Sequence, residues 1–422
     1  MSLYKQKINA FLHYGYLPDP EIPAPFSMQR WFDGSLPSLD FKNTPKSELI
    51  KIGGESLRAS FKEEIGNDHD KIHIVPLSGG LDSRTILANL SEQIEPSKIV
   101  AITFGVPKST DYERAQSISK EAGLKWEGID LSPGKWKWNT DLLIDAAKRS
   151  EKPTLLFDTA VNHSIRIKFG NECMYWTGYM GDILSRIQPI SIYGKTWEQA
   201  KATFIKINCK CKIHKLTPTC FSPEKCLPKQ PYTQADKLDY YTQLNSCIRQ
   251  QCLIQHIYSP KGYDIRHPFL NPKWVAFILS APSHYRHQQF LYRKIQRSSW
   301  PHLFNKWNSP YRGSSKLNNL IYEKTNFLIR NITKKIFPIK LTSIMGADKK
   351  VNYIDWNYAL RYQDDFKNVV YSNLQDLQTR KIVDWLDIKK LWTIHQNRQN
   401  DIASELMTLA ALEIHLKAKT IN

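Results

Sequence analysis

The stretch KIHIVPLSGGLDSRTILANL, from Lys71 to Leu90, carries the signals that decide the fold. Four apolar residues between Ile72 and Leu77 predict a short buried strand. A serine and two glycines then interrupt the apolar run, and the residues from Arg84 to Leu90 predict a helix. The sequence therefore predicts a strand, a glycine-rich turn and a helix in direct succession.

The alternation of strands and helices continues after this stretch. Further buried strands are predicted at 99–104, 125–131 and 173–176, and further helices at 142–149 and 155–168. Thr110 and Glu113 have the spacing of a capping box, and Gly123 stands where that helix should end. Such alternation predicts an α/β fold with a doubly wound parallel sheet and right-handed crossovers.

Three regions follow from this reading. We expect a loop-rich and helical lead-in at 1–69, an α/β core at 70–190, and a mainly helical region at 191–422 that completes the same domain. The helices predicted in the last region are 240–258, 273–281, 316–331 and 403–419.

The composition is that of a globular protein with a basic surface. The 422 residues are 41% hydrophobic and 23% charged, which excludes a disordered chain, and the formal net charge is +19. A surface this basic attracts anions such as nucleotides, acidic lipids or nucleic acid. Charge alone does not single out nucleic acid, so nucleic acid is not the partner we expect.

The chain has neither a recognisable signal peptide nor an apolar run long enough to predict a membrane span. We therefore expect a cytoplasmic protein with no membrane partner. Its seven cysteines are then expected to be reduced thiols.

The turn Ser78-Gly79-Gly80-Leu81-Asp82-Ser83 has the chemistry of a phosphate site. Backbone N–H groups at a helix start point at any bound anion, and glycine lets the backbone approach that anion closely. The two serine hydroxyls add donors. A carboxylate in such a site calls for a cation, so Asp82 is interpreted as a Mg²⁺ ligand. The alternative is a tight turn that merely favours glycine.

This turn resembles the pyrophosphate-binding loop of the ATP pyrophosphatases, which form AMP and pyrophosphate. TGYMGD, ending at Asp182, resembles the S-G-E-G-S-D segment of asparagine synthetases and, more closely, the T-G-Y-G-x-D segment of β-lactam synthetases. DIRHPFLN at 264–271 and FLHYGYLP at 11–18 resemble two further segments of these families. The chain is thus similar, over about residues 10–280, to their synthetase domain.

The resemblance implies a sheet of the adenine nucleotide α-hydrolase (PP-loop) type, with ATP and Mg²⁺ as cofactors. Asp82 and Asp182 would be the metal ligands; the alternative for Asp182 is a helix N-cap. The resemblance also implies that Leu77, Phe104 and Gly105 line the adenine and ribose. It implies that Ser78, Gly79, Gly80 and Ser83 hold the pyrophosphate, and that Thr177 and Gly178 face the nucleotide.

The implied reaction is amide formation. A carboxylate would attack the α-phosphorus of ATP and release pyrophosphate, and an amine would then displace AMP from the acyl-adenylate. Aspartate is the usual substrate of the family, but the altered pocket favours another acid, such as an amino acid or a sugar acid. Glutamine-dependent members carry a separate glutaminase domain, which the residues before the loop are too few to form. We therefore expect ammonia from solution, ammonia from a separate amidotransferase partner, or a different amine.

The catalytic residues of the second step depart from the family pattern. Tyr179 stands where β-lactam synthetases have the tyrosine of an acid/base dyad, and in that role it would deprotonate the attacking amine. The helix that should supply its carboxylate has only Asp239, near its start, so the alternative is that Tyr179 only packs against the substrate. Lys306 and Arg312 lie near the position of the family's charge-stabilising lysine. Either one of them serves, or the acyl-transfer step is altered or lost.

Two other functions stay open at this point. One is a tRNA-modifying ligase of the lysidine synthetase type, and the other is a non-catalytic descendant that binds a nucleotide. A separate question concerns the cysteines and histidine between Cys209 and Cys226, which either bind zinc or form a surface insertion with free thiols.

Overall fold

One parallel sheet forms the centre of the structure, a computed structural model that describes residues 2–186, 194–305 and 354–421. Its five strands have the order β3-β2-β1-β4-β5, and every neighbouring pair is parallel. The strands are β1 (His73–Pro76), β2 (Ile99–Gly105), β3 (Lys125–Asp130), β4 (Met174–Trp176) and β5 (Asp264–Arg266). The predicted parallel α/β sheet is confirmed.

Helices surround this sheet and precede it. The helices before residue 186 are α1 (Leu3–Tyr14), α2 (Phe26–Phe32), α3 (Lys46–Ile65), α4 (Leu81–Ser91), α5 (Thr110–Glu121), α6 (Thr140–Arg149), α7 (Leu156–Phe169) and α8 (Gly181–Ser185).

The later helices are α9 (Trp197–Asn208), α10 (Tyr240–Leu244), α11 (Gln255–Tyr258), α12 (Pro272–Ser280), α13 (Ser283–Arg286), α14 (Phe290–Ser299), α15 (Pro301–Phe304), α16 (Trp356–Tyr362), α17 (Asp364–Arg380), α18 (Ile388–Gln396) and α19 (Ala403–Lys417). A π-helical stretch, Asn245–Ile254, joins α10 to α11. The helix predicted at 316–331 lies outside the described residues.

The central strands are apolar because both of their faces are covered. Val75 and Ala101 pack into one core cluster, and Ile74 and Val100 pack into another. Residues that alternate between two buried faces read as a continuous apolar run, which is typical of a parallel sheet between helical layers. No helix in the described ranges combines the length and apolarity that crossing a membrane requires.

Successive strands are added to the sheet in opposite directions on the two sides of β1: β2 and β3 lie on one side, and β4 and β5 lie on the other. Strand β1 pairs with β2 on one side and with β4 on the other, so the connections leaving β1 and β4 diverge. In open α/β sheets, the crevice at the carboxyl ends of such a strand pair is where ligands bind. The loops after β1 and β4 therefore lie at the edge of the sheet where a ligand is expected to bind.

The fifth strand was not predicted from the sequence. Its three residues, Asp264–Arg266, are only partly buried, and two of them are charged. Arg266 forms ion pairs with Asp68 at 3.2 Å and with Asp264 at 2.8 Å. A short, charged edge strand carries almost no apolar pattern, so its pairing with β4 is visible only in the structure.

The contact between α3 and α14 is close because α3 has a glycine there. A Cβ on Gly53 would lie 2.3 Å from Ile295 Cδ1 and 2.8 Å from Phe277 Cζ. We predict that Gly53→Ala destabilises the protein by about 1–3 kcal/mol, because overpacking outweighs the roughly 1 kcal/mol gain in helix propensity. Urea unfolding measures the change.

The matched control for this variant is Glu55→Ala, an exposed position on the same helix. Its free energy of unfolding should stay within about 0.5 kcal/mol of wild type. A Gly53→Ala protein as stable as wild type would contradict the described packing of α3 on α14.

Candidate functional site

The loop after β1 is held by its own serine hydroxyls. Ser83 Oγ accepts a hydrogen bond from the Ser78 amide at 3.1 Å, and Ser78 Oγ accepts one from the Gly80 amide at 3.1 Å. Helix α4 then begins at Leu81, and its N-cap residue, Gly80, has no side chain that could cap the first turn. The amides of that turn are left without intrahelical partners, which is the arrangement that binds phosphate.

The loop after β4 brings a second acidic residue to the same edge. Met180 has the left-handed backbone angle φ +69°, and α8 starts directly after it. Asp182 lies in the first turn of α8. Thr177 Oγ1 lies 2.8 Å from His267 Nδ1, so this side chain holds the loop to the segment after β5.

The two loops are in direct contact through Asp82. A Cβ on Gly181 would lie 2.6 Å from Asp82 Cγ, and a Cβ on Gly178 would lie 3.1 Å from Asp82 Cβ. Any side chain at residue 181 would therefore occupy the place of the Asp82 carboxylate. The glycines of TGYMGD are needed for this approach.

The ionised forms of Asp82 and Asp182 are electrostatically unfavourable when no cation is bound. Burial, and then the charge of Asp182, raise the pKa of Asp82 from 3.8 to about 7. Burial also raises the pKa of Asp182, against the opposing effect of Arg186 and Arg293. A divalent cation between the two groups would remove this penalty.

The donor set fits Mg²⁺ rather than a metal with a full protein cage. Within residues 2–186, 194–305 and 354–421, no three His, Cys, Asp or Glu side chains form a metal cluster. Mg²⁺ is commonly held by one or two carboxylates, with water and phosphate oxygens completing its shell. Asp82 and Asp182 would be those two ligands.

Tyr292 of α14 orients Asp82, and it was not predicted from the sequence. Its hydroxyl donates to Asp82 Oδ1 at 2.9 Å and lies 3.1 Å from Thr85 Oγ1, which also accepts from Gln296 Nε2 at 2.8 Å. Burial keeps the pKa of Tyr292 well above its ordinary value, so the phenol remains a donor. The only sequence signal was a Tyr and a Gln, four residues apart, on the apolar face of a helix.

The residues predicted to line adenine and ribose meet at the carboxyl ends of β1 and β2. Leu77 is 2% exposed, and its backbone is fully paired: its N–H donates to Ile102 O at 2.8 Å and its C=O accepts from Thr103 Oγ1 at 2.9 Å. Leu77 thus anchors the loop. Phe104 and Gly105 follow Thr103 at the end of β2, the strand that pairs with β1.

Tyr179 is buried, and no carboxylate in the described part of the chain hydrogen-bonds to its hydroxyl. It is 3% exposed, and its hydroxyl has no hydrogen-bond partner among the described residues. Burial, followed by the thiols of Cys247 and Cys252, raises the pKa of Tyr179. Asp239 caps α10 instead, accepting from the Thr242 amide at 2.8 Å.

The other two predicted catalytic residues, Lys306 and Arg312, lie outside the described residues.

The cysteine segment gives no support to the zinc alternative. Cys209 Sγ lies 3.9 Å from His13 Nδ1, Cys211 donates to Leu12 O, and all seven cysteines are free thiols. No protein-family model matches the sequence.

Asp82 should make the ligand-free protein pH-sensitive. Because its pKa is raised on folding, the native state binds a proton that the unfolded chain releases, so stability falls as the pH rises from about 4 through about 7. We predict that Asp82→Asn stabilises the ligand-free protein by about 1–3 kcal/mol at pH 8, and that the gain disappears towards pH 4.

Urea unfolding of wild type and Asp82→Asn across pH 4–8 measures this difference. Asp70→Asn, which changes an exposed carboxylate, is the control and should alter stability by no more than about 0.5 kcal/mol. A gain in the Asp82 variant that does not depend on pH, or a loss at pH 8, would show that the carboxylate is not buried against Asp182.

Proposed function

We propose that the protein is an ATP-dependent carbon–nitrogen ligase of the asparagine synthetase type. The proposed reaction activates a carboxylate as an acyl-adenylate, releases pyrophosphate, and transfers the acyl group to ammonia or another amine. The observation that supports it most is the contact of Asp82 with the Gly178–Gly181 backbone, which joins two acidic loops beside the uncapped start of α4.

The sheet supports this proposal. Its strand order, β3-β2-β1-β4-β5, brings the loops after β1 and β4 together at a switch point. We propose that this is a PP-loop sheet of the adenine nucleotide α-hydrolase type. The phosphates would then lie on the amides of the first turn of α4, with the adenine towards the end of β2.

Several side chains of this chain would act in the adenylation step. Ser78 and Ser83 would exchange their mutual hydrogen bonds for bonds to phosphate oxygens, and Asp82 and Asp182 would hold Mg²⁺. Tyr292 would keep one oxygen of Asp82 occupied and so fix the direction of the other oxygen. Mg²⁺, when bound, would neutralise charge on the phosphates as pyrophosphate leaves.

The second step of the proposed reaction is the transfer of the acyl group to an amine. The buried, protonated Tyr179 is a poor base, and Asp239 is engaged in capping. We therefore assign Tyr179 to packing against His267, whose ring centroid lies 5.1 Å away, and not to proton transfer. The attacking amine, its source and any separate amidotransferase partner are part of the proposal and follow from the resemblance alone.

ATP–pyrophosphate exchange tests the proposal. We predict exchange that requires Mg²⁺ and one class of small carboxylic acid, and a decrease of at least about 100-fold in Asp182→Asn, because the metal stabilises the transition state by several kcal/mol. Asp141→Asn, an exposed carboxylate on α6, is the control and should exchange at the wild-type rate.

The same assay separates the competing functions. AMP release only in the presence of tRNA would favour a tRNA-modifying ligase. Tight Mg·ATP binding without exchange for any acid would favour a non-catalytic descendant. Exchange at the wild-type rate in Asp182→Asn would contradict the proposed metal site.

A further inference from the structure

Two arginine side chains contact the loop after β1, and a third lies close enough to influence the pKa of one of them. They are Arg84 of α4, Arg114 of α5 and Arg293 of α14. Arg84 is 1% exposed, and its Nε donates to Gly80 O at 3.1 Å. Its Nη1 donates to Leu303 O at 3.0 Å, so Arg84 holds the loop to the helices behind it.

Arg114 lies against the other side of the loop, over Gly79. A Cβ on Gly79 would lie 2.9 Å from Arg114 Cδ and 3.3 Å from Arg114 Nη1. This Nη1 atom is buried and has no hydrogen-bond partner among the described residues. A buried guanidinium donor without a partner is costly, and a ligand that accepts its hydrogen bond would remove that cost.

The electrostatics of this cluster favour an anion. Burial, and then the charges of Arg114 and Arg293, lower the pKa of Arg84 to about 10. The guanidinium groups are therefore close enough to repel one another. These positive side chains add to the positive end of the α4 helix dipole, and both effects favour a bound phosphate.

The two sides of the loop differ in chemistry. On the β4 side, Asp82 and Asp182 offer oxygen ligands to a cation. On the β2 side, Arg114 offers N–H donors to an anion. A nucleotide whose phosphates lie on the loop would meet the metal site on one side and the guanidinium on the other.

We propose that Arg114 binds the β- and γ-phosphates of the nucleotide, which form the pyrophosphate leaving group. This inference rests on the proposed function. The guanidinium would donate to the terminal phosphate oxygens from above Gly79, where charge accumulates as pyrophosphate departs. AMP lacks these phosphates, so its binding should not depend on Arg114.

Asp111, one turn earlier on α5, offers a second variant whose expected effect on pyrophosphate binding is opposite to that of Arg114→Ala. Its Oδ1 lies 2.7 Å from the same Cβ position on Gly79. A phosphate held by Arg114 would therefore lie close to this carboxylate and be repelled by it. Asp111→Asn should strengthen pyrophosphate binding, whereas Arg114→Ala should weaken it.

Isothermal titration of the full chain with Mg·pyrophosphate, Mg·ATP and AMP tests the proposal. We predict that Arg114→Ala weakens binding of the first two ligands by about 10–100-fold and changes AMP binding by less than about 2-fold. Arg114→Lys should restore part of the loss, since lysine keeps the charge but not the planar fork. Lys120→Ala, an exposed cation at the end of α5, controls for net charge.

The outcomes distinguish this inference from the proposed function. If wild type binds Mg·ATP and Arg114→Ala binds Mg·pyrophosphate equally well, Arg114 is misassigned and the function stands. If wild type binds Mg·pyrophosphate and Arg114→Ala does not, but wild type binds neither ATP nor AMP, the proposed function fails while the contact of Arg114 with pyrophosphate stands. No binding of any of the three ligands, or an equal loss for AMP, overturns the Arg114 assignment. Melting temperatures of the ligand-free variants check that each one folds.

Discussion

The arrangement of the site depends on one unfavourable contact, the packing of the partly buried Asp82 carboxylate against the backbone of the loop after β4. Gly181 leaves room for it, with its Cβ position only 2.6 Å from Asp82 Cγ, and Asp182 adds a second negative charge nearby. A fold selected for stability alone would not bring two carboxylates together in a low dielectric. Such a cost is typical of a site that is completed by a bound cation.

The rest of the structure holds this contact in place. Strand order puts the two loops side by side, and α14 supplies the Tyr292 hydroxyl that fixes one oxygen of Asp82. Helix α14 in turn packs on α3 through the space left at Gly53. The lead-in before residue 70 therefore supports the site through a chain of packed helices, although none of its residues was predicted to touch a ligand.

Sequence reasoning predicted those features of the fold that leave an apolar pattern in a short stretch of the chain. The buried strands were predicted because both faces of the sheet are covered. The metal-ligand roles stay predictions: that of Asp82 came from the chemistry of its loop, and that of Asp182 came from the family resemblance. Sequence reasoning failed for Tyr292, which is 210 residues from Asp82 in the chain, and for Arg114, whose contact with Gly79 depends on how α5 packs. Both contacts arise from tertiary packing that leaves no periodic signal. The hydrogen bonds that fix Leu77 to β2 and Thr177 to His267 also depend on tertiary packing, so they could not be predicted from the sequence.

The most direct test of a cation shared by Asp82 and Asp182 is proton release on binding of preformed Mg·ATP at pH 7. It is measured by titration calorimetry in two buffers of different ionisation enthalpy. Since the pKa of Asp82 is about 7 in the ligand-free protein, the account predicts release of about half a proton by wild type and a clear decrease in Asp82→Asn. Equal proton release by the two proteins, or none by wild type, would contradict it.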